Sequence, residues 1–420
     1  MTPAIRVTYT IRLAGAATAA VLMVAAPAEA QQSCSALPNP TVVVGSNDFE
    51  PLLRQFAVRL SAESPPTTVV VPTSASLATS CAGVASVVDG ADLAGLVGRY
   101  YTQSGSMITS NTCTFASGQT AQVAISDLFY ESCATVAQPK PADIVDALGP
   151  AQEIVFAVPK ANTTVQSLTY NEVATIYGCG VSMAAPVAGF FSDPTAVFCR
   201  DPPESGSQIA VARSIGLPES VMIPPKCTAF RNESTLASKL VPNISMPPIP
   251  ASDYVPPLTA IGFVSAVNLG PNRSSINTVA FQAQGQMLAY RADSRPELAD
   301  RANVRDGHYP IWGYVHLIAK TSGGGIATQA ADLIGWINGT KTSRNIDPVA
   351  IEANLSLIPQ CAMRVKRSSD GGLLSPYSPP TTCNCEYEAV ATQTSPAACT
   401  ACTSSSMCAG SSTCRHGFCE

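Results

Sequence analysis

The chain has 420 residues, 46% of them hydrophobic and only 13% charged, with a formal net charge of −5. That length and apolar content are enough for a sizeable core and for more than one lobe. The mildly acidic balance, with no run of Lys and Arg, argues against nucleic acid or an anionic membrane surface as a partner.

Residues 1–30 read as a secretory signal peptide. Arg6 and Arg12 precede an apolar run over 13–26, and Ala28-Glu29-Ala30 has the small-x-small pattern of a cleavage site, so removal after Ala30 is expected. Cys34 lies past that cut rather than at it, which makes a lipid-modified N-terminal cysteine the weaker reading. No other stretch of about 20 apolar residues follows. The mature chain is expected to be soluble, monomeric, and periplasmic or extracellular.

A strand is predicted over 41–45, where Thr-Val-Val-Val-Gly is β-branched, and a helix over 51–60, which places Leu52, Leu53, Phe56, Ala57 and Leu60 on one face. The connection Gly45-Ser46-Asn47-Asp48-Phe49-Glu50-Pro51 can face an anion; equally, Asn47 or Asp48 can simply cap the helix, with Pro51 in its first turn. Further strands are predicted over 67–71, 122–126 and 153–158. Ser80-Cys81-Ala82-Gly83-Val84 follows the first of these, and Ser126-Asp127 ends the second. Thr169 and Glu172 have the spacing of a capping box, with Val173, Ile176 and Tyr177 behind them.

Arg200-Asp-Pro-Pro-Glu-Ser205-Gly206-Ser207 runs directly into a helical pattern. A helix start leaves backbone N–H groups unpaired and carries partial positive charge, so Ser205, Gly206, Ser207 and the Arg200 guanidinium can converge on one oxyanion. Ser-Gly-Ser also serves as a ligand-free helix cap. Strands over 261–264 and 311–318 and a helix over 326–337 complete the body. Gly323-Gly324-Gly325 reads as a connector rather than a phosphate cradle, and His308, without a partner, as a loop residue. Strands alternating with helices predict an α/β body, in which ligands gather where strands end and helices begin.

The chain has fifteen cysteines, eight spread over the body and seven crowded after residue 382, and a secreted chain oxidises them to disulfides. The odd total leaves one thiol free or bridging to another chain. Cys399-Thr-Ala-Cys402 has zinc-like spacing, but Thr, Ser and Ala surround it, and no metal is expected. Residues 363–382, rich in Ser, Pro and Gly, read as a linker, and 383–420 as a disulfide-stapled tail. No Gly-x-Ser-x-Gly elbow, His-Glu-x-x-His pair or Gly-Lys phosphate loop is present, so neither enzymatic activity nor a cofactor is expected.

The succession Gly-Ser-Asn-Asp-Phe-Glu-Pro, Ser-Cys-Ala-Gly-Val, Ile-Ser-Asp, Arg with Ser-Gly-Ser-Gln, then Ile-Gly-Phe resembles the type II periplasmic solute-binding proteins, in particular the phosphate-binding proteins of ABC importers. The resemblance spans roughly residues 40–361 and leaves out the tail. It implies a two-lobed α/β fold with the ligand cleft between lobes: lobe I over 31–125 and 260–362, lobe II over 126–259. It further implies Asp127 as acceptor for a protonated phosphate, Arg200 as charge partner, and Ser205, Gly206 and Ser207 as donors, with Ser46, Asn47, Asp48, Ser80 and Ser126 on the facing loops. An ionised carboxylate repels a fully deprotonated anion but accepts a hydrogen bond from one that keeps a proton, which separates phosphate from sulfate. Three departures stand out: Asp48 where the family has Thr, a loop one residue longer between Arg200 and Ser205, and Ser207 for Thr. The resemblance also implies an ABC importer membrane component as partner. The alternative reading is a surface or adhesion module that keeps the scaffold without the ligand.

Overall fold

The computed structural model describes residues 32–420 except 161, 180–196, 199–204, 219–259, 275, 322–324, 342, 344, 411 and 416. The expected signal peptide, Arg200, Cys199, Cys227, Gly323 and Gly324 therefore lie outside the described residues.

The β-branched run forms β1 (Pro40–Gly45), and the apolar stripe behind it forms α1 (Glu50–Leu60), with Pro51 in its first turn and the five expected apolar residues buried. β2 (Thr68–Pro72) leads to α2 (Ser80–Asp89), and β3 (Val97–Ser104) and β4 (Met107–Thr114) form a hairpin. Next come β5 (Val123–Ser126), the long β6 (Ile144–Pro159), β7 (Ser167–Thr169) and α3 (Tyr170–Cys179). The capping box closes reciprocally: the Glu172 N–H donates to Thr169 Oγ1 (3.2 Å) and the Thr169 N–H to Glu172 Oε2 (2.7 Å). β8 (Val197–Phe198), α4 (Gly206–Ser214), β9 (Ala260–Ser265), α5 (Ala266–Asn272), β10 (Ile276–Thr278), β11 (Ala280–Gln282) and α6 (Ala302–Arg305) follow. β12 (Trp312–Lys320), α7 (Thr328–Ile337) and α8 (Pro348–Asn354) complete the body. His308 stacks on Tyr290, ring centroids 4.9 Å apart.

One mixed sheet runs β4-β3-β2-β1-β5-β12-β6-β9-β8, with β10 also on β6. β1 is parallel to both neighbours and covered on both faces, which is why its sequence is a continuous apolar run rather than an alternation. Val42 and Val44 enter the core on one side and Val43 the core on the other, as the two-residue period of a strand requires. β6 joins the two halves of the sheet: its residues from Ile144 to Glu153 pair with β12, and those from Ile154 to Pro159 with β9 and β10. β9, assigned from the sequence to the first lobe, thus sits beside β8 and the far half of β6.

The stretch expected as a linker, 363–382, is packed onto the body. β13 (Val365–Lys366) pairs with β14 (Ser375–Pro376), and between them Arg367 and Asp370 are buried. Arg367 donates to the carbonyls of Trp312 (2.8 Å) and Pro310 (2.7 Å) and lies 4.2 Å from the Trp312 ring. Burial lowers its pKa to about 10. A segment short of apolar side chains thus docks through a guanidinium that caps backbone carbonyls. The tail begins with α9 (Asn384–Thr392), whose Tyr387 is fully buried beneath Arg305, and Arg305 also bonds Asn384 and Glu388. The remainder is a small hairpin, β15 (Cys414–Arg415) with β16 (Phe418–Cys419).

Among the described residues twelve cysteines form six disulfides: 34–113 and 81–133 in the body, 361–383 joining body to tail, and 385–399, 402–414 and 408–419 within the tail. Both cysteines of the zinc-like spacing are therefore oxidised. The other three of the fifteen cysteines are Cys179, Cys199 and Cys227. Among the described residues no helix is long and apolar enough to cross a membrane.

Candidate functional site

The loops singled out in the sequence meet where β1 and β5 end and α2 begins. Gly45 closes β1 with φ 113°, and a Cβ there would lie 2.0 Å from the Ile125 carbonyl oxygen. On its other side a Cβ on Gly83 of α2 would fall 2.3 Å from the Gly45 Cα. Two glycines back to back thus let the first turn of α2 reach the strand ends. That brings Ser80, the first residue of α2, onto Asp127. Ser80 Oγ donates to Asp127 Oδ2 (2.7 Å) and accepts from the Asp127 backbone N–H (3.1 Å).

Asp127 Oδ1 accepts from Gln152 Nε2 on β6 (2.5 Å). Gln152 lies just before the strand expected at 153–158, in a run with no polar periodicity to mark it. Burial raises the Asp127 carboxyl above the ordinary range; the Ser80 and Ser46 hydroxyls and the Gln152 amide act in the opposite direction by favouring its ionised form. Ser126, fully buried, serves the loop itself: its hydroxyl donates to the Leu128 carbonyl and accepts the Leu128 N–H, both at 3.0 Å. That turn fixes the direction in which Asp127 leaves β5.

The start of α4 faces the same carboxylate. A Cβ on Gly206 would lie 2.5 Å from Asp127 Oδ2, 2.6 Å from Asp127 Cβ and 2.7 Å from Ser80 Oγ. Gly206 therefore packs directly on the Ser80–Asp127 pair, with the positive end of α4 toward the carboxylate. Ser205 occupies the N-cap position without a side-chain capping bond, and its hydroxyl bonds the Ser207 hydroxyl at 2.8 Å. At the other end of α4, Arg213 donates to Ser132 Oγ (2.6 Å), which in turn donates to Asp370 Oδ2 (2.5 Å). Asp370 Oδ2 also accepts the Phe129 N–H (3.0 Å). The loop carrying Asp127 is thus held by the arm expected as a linker.

Asn47 and Asp48 belong to a short 3-10 turn, and the position preceding α1 is Phe49, so neither Asn47 nor Asp48 caps that helix. Asp48 accepts from Asn268 of α5 (3.2 Å) and lines a pocket of about 320 Å³ with Glu50, Arg54 and Tyr101. Ser46 and Asn47 border a second pocket, of about 250 Å³, whose cation, Arg99, is paired with Glu50 at 2.5 Å. Ser46, Ser80, Asp127 and Gly206, with its neighbours Ser205 and Ser207, are brought together; Asp48 and Ser126 are turned to other partners. Arg200 lies outside the described residues.

No protein-family model matches the sequence, and no curated protein matches it. Among solved structures, the chain is similar to an ABC-type phosphate transport receptor from Vibrio cholerae, at 13% identity over 76% of this chain and 100% of the other, with a TM-score of 0.48. It is similar also to a substrate-binding protein assigned to a phosphate ABC transporter of Clostridium perfringens, solved with phosphate bound, at 14% identity over 76% and 99% of the chains (TM-score 0.49). An ancestral soluble variant of the human phosphate binding protein is 12% identical over 76% and 90% (TM-score 0.44). At these identities the likeness is one of fold, and no ligand is carried over from it.

Proposed function

We propose that the protein is a solute-binding protein that captures a small, protonated oxyanion, phosphate foremost, where α2, the Asp127 loop and α4 meet. The observation that carries this reading is the seating of Gly206 on the Ser80–Asp127 pair. Three segments distant in sequence, the start of α2, the Asp127 loop and the start of α4, converge on one point. A buried carboxylate there accepts a hydrogen bond from the proton the ligand keeps, while serine hydroxyls and the N–H groups opening α4 donate to its other oxygens. Several charge-assisted bonds of ~1.5–3 kcal/mol each would sustain micromolar affinity or better. Arg200 supplies the counter-charge in this reading. The six disulfides among the described residues suit a periplasmic or extracellular location, and delivery to an ABC importer or sensing is the role that follows.

The test is thermal unfolding of the mature protein in phosphate and in sulfate. Phosphate should raise the melting temperature and sulfate should not, and Arg200→Ala should remove the phosphate response. Indifference to both anions would eliminate the phosphate assignment.

A second reading, a scaffold that no longer takes the anion, is favoured by one specific feature. Both Asp127 oxygens already accept protein donors, and the start of α4 is in contact with the carboxylate. In that case the carboxylate itself occupies the anion position, and neither phosphate nor Arg200→Ala changes the melting temperature.

A further inference from the structure

The pocket between the body and the tail has a volume of about 440 Å³, within the usual range for small-molecule sites. Its walls come from the end of α7, from α8, and from the Cys361–Cys383 disulfide that pins the tail to the body. Two of its lining side chains are ionisable: Glu352 and Arg415.

Glu352 is 2% exposed and makes no side-chain hydrogen bond or ion pair among the described residues, and its Oε1 is buried without a partner. A buried acceptor left unsatisfied is costly, and native structures rarely keep one without a use. Burial, reinforced by the negative charge of Asp347 at the start of α8, holds this carboxyl well above the ordinary range. Glu386 on α9 likewise holds its proton, its pKa pushed up to about 10 by burial and by Asp347 and Glu420 beside it. Arg415, on the tail hairpin, is exposed at the rim and has no partner among the described residues. A simple anion held by Arg415 would leave the buried Glu352 Oε1 unsatisfied, and a simple cation at Glu352 would leave Arg415 without a counter-charge. A molecule carrying both charges satisfies each end.

We propose that this pocket binds a small zwitterion, a free amino acid or short peptide whose ammonium group meets Glu352 and whose carboxylate meets Arg415. Arrival of an ammonium group in this low-dielectric site draws Glu352 into its ionised form and supplies the hydrogen bonds it lacks. The site is separate from Asp127 and requires no anion there.

The experiment is calorimetric titration of the mature, tail-containing protein with two panels, the free L-amino acids and simple dipeptides, each repeated with N-acetylated and C-amidated forms. At least one member is expected to bind at millimolar concentration or below, and the panel it comes from identifies the source. Blocking either of its termini should weaken binding about tenfold or more, as should Glu352→Gln and Arg415→Ala. No binding by any member, equal binding of a blocked form, or unchanged affinity in either variant overturns the proposal. Arg415 is exposed, so its variant remains informative if Glu352→Gln proves unstable.

Discussion

Gly206→Ala is the sharpest probe of the site. The added methyl would lie 2.5 Å from Asp127 Oδ2, 2.6 Å from Asp127 Cβ and 2.7 Å from Ser80 Oγ. That is a shortfall of about 0.7–0.9 Å against ordinary van der Waals contact. None of the three atoms is the free end of a flexible chain: Cβ is tied to the backbone, Oδ2 is held by Ser80, and Ser80 opens α2. Relief requires α4 to lift away from the Asp127 loop. Overpacking of this kind costs ~1–3 kcal/mol. Urea unfolding of wild type and variant should show that loss, and phosphate should no longer raise the melting temperature of the variant. In a double-mutant cycle Gly206→Ala should cost less when Asp127 is Gly, which removes both the Oδ2 and the Cβ contacts, with a coupling of ~0.5–3 kcal/mol. A variant within about 0.5 kcal/mol of wild type, or a cycle that adds, would refute the seating of α4 on Asp127.

Three further outcomes are expected. Asp127→Asn removes the charge that excludes a fully deprotonated anion, so sulfate should raise the melting temperature of the variant; continued indifference to sulfate in a folded, phosphate-responsive variant would disprove that role. Glu352 keeps its proton to higher pH in the folded chain than its ordinary value of 4.5, so wild type loses stability as pH rises above that value. Glu352→Gln, which cannot ionise, should therefore gain on wild type as pH rises and match its pH slope below that value, which pH-resolved urea unfolding checks. Arg367→Ala strips two buried carbonyls of their donor and should cost ~2–4 kcal/mol, with Arg367→Lys recovering little because it can neither fork nor stack.

Much of the skeleton was legible because it is local. The Val run of β1, the apolar stripe of α1 and the Thr169–Glu172 box depend on period and spacing within a few residues. Ser80 and Asp127, singled out through the family resemblance, and Ser205 to Ser207, singled out as a helix start, are brought together in the structure. The Gln152 donor on Asp127 was not legible: Gln152 stands beside the buried Glu153 in a mostly apolar strand, and no local spacing ties it to Asp127. Asp48 was equally opaque, because its partner Asn268 is remote in sequence. Residues 363–382 look like a linker by composition, since composition counts apolar side chains and Arg367 docks through hydrogen bonds instead.

The α/β class, the position of the strand-to-helix turns and the concentration of cysteines after residue 382 are properties of the sequence alone. Which of those turns touch, how β6 divides its pairing between β12 and β9, and how the arm clasps the Asp127 loop were decided only by tertiary structure. The reason is physical: propensity, capping and periodicity act over a few residues, whereas hydrogen-bond partners of buried polar groups are set by packing across the whole sheet.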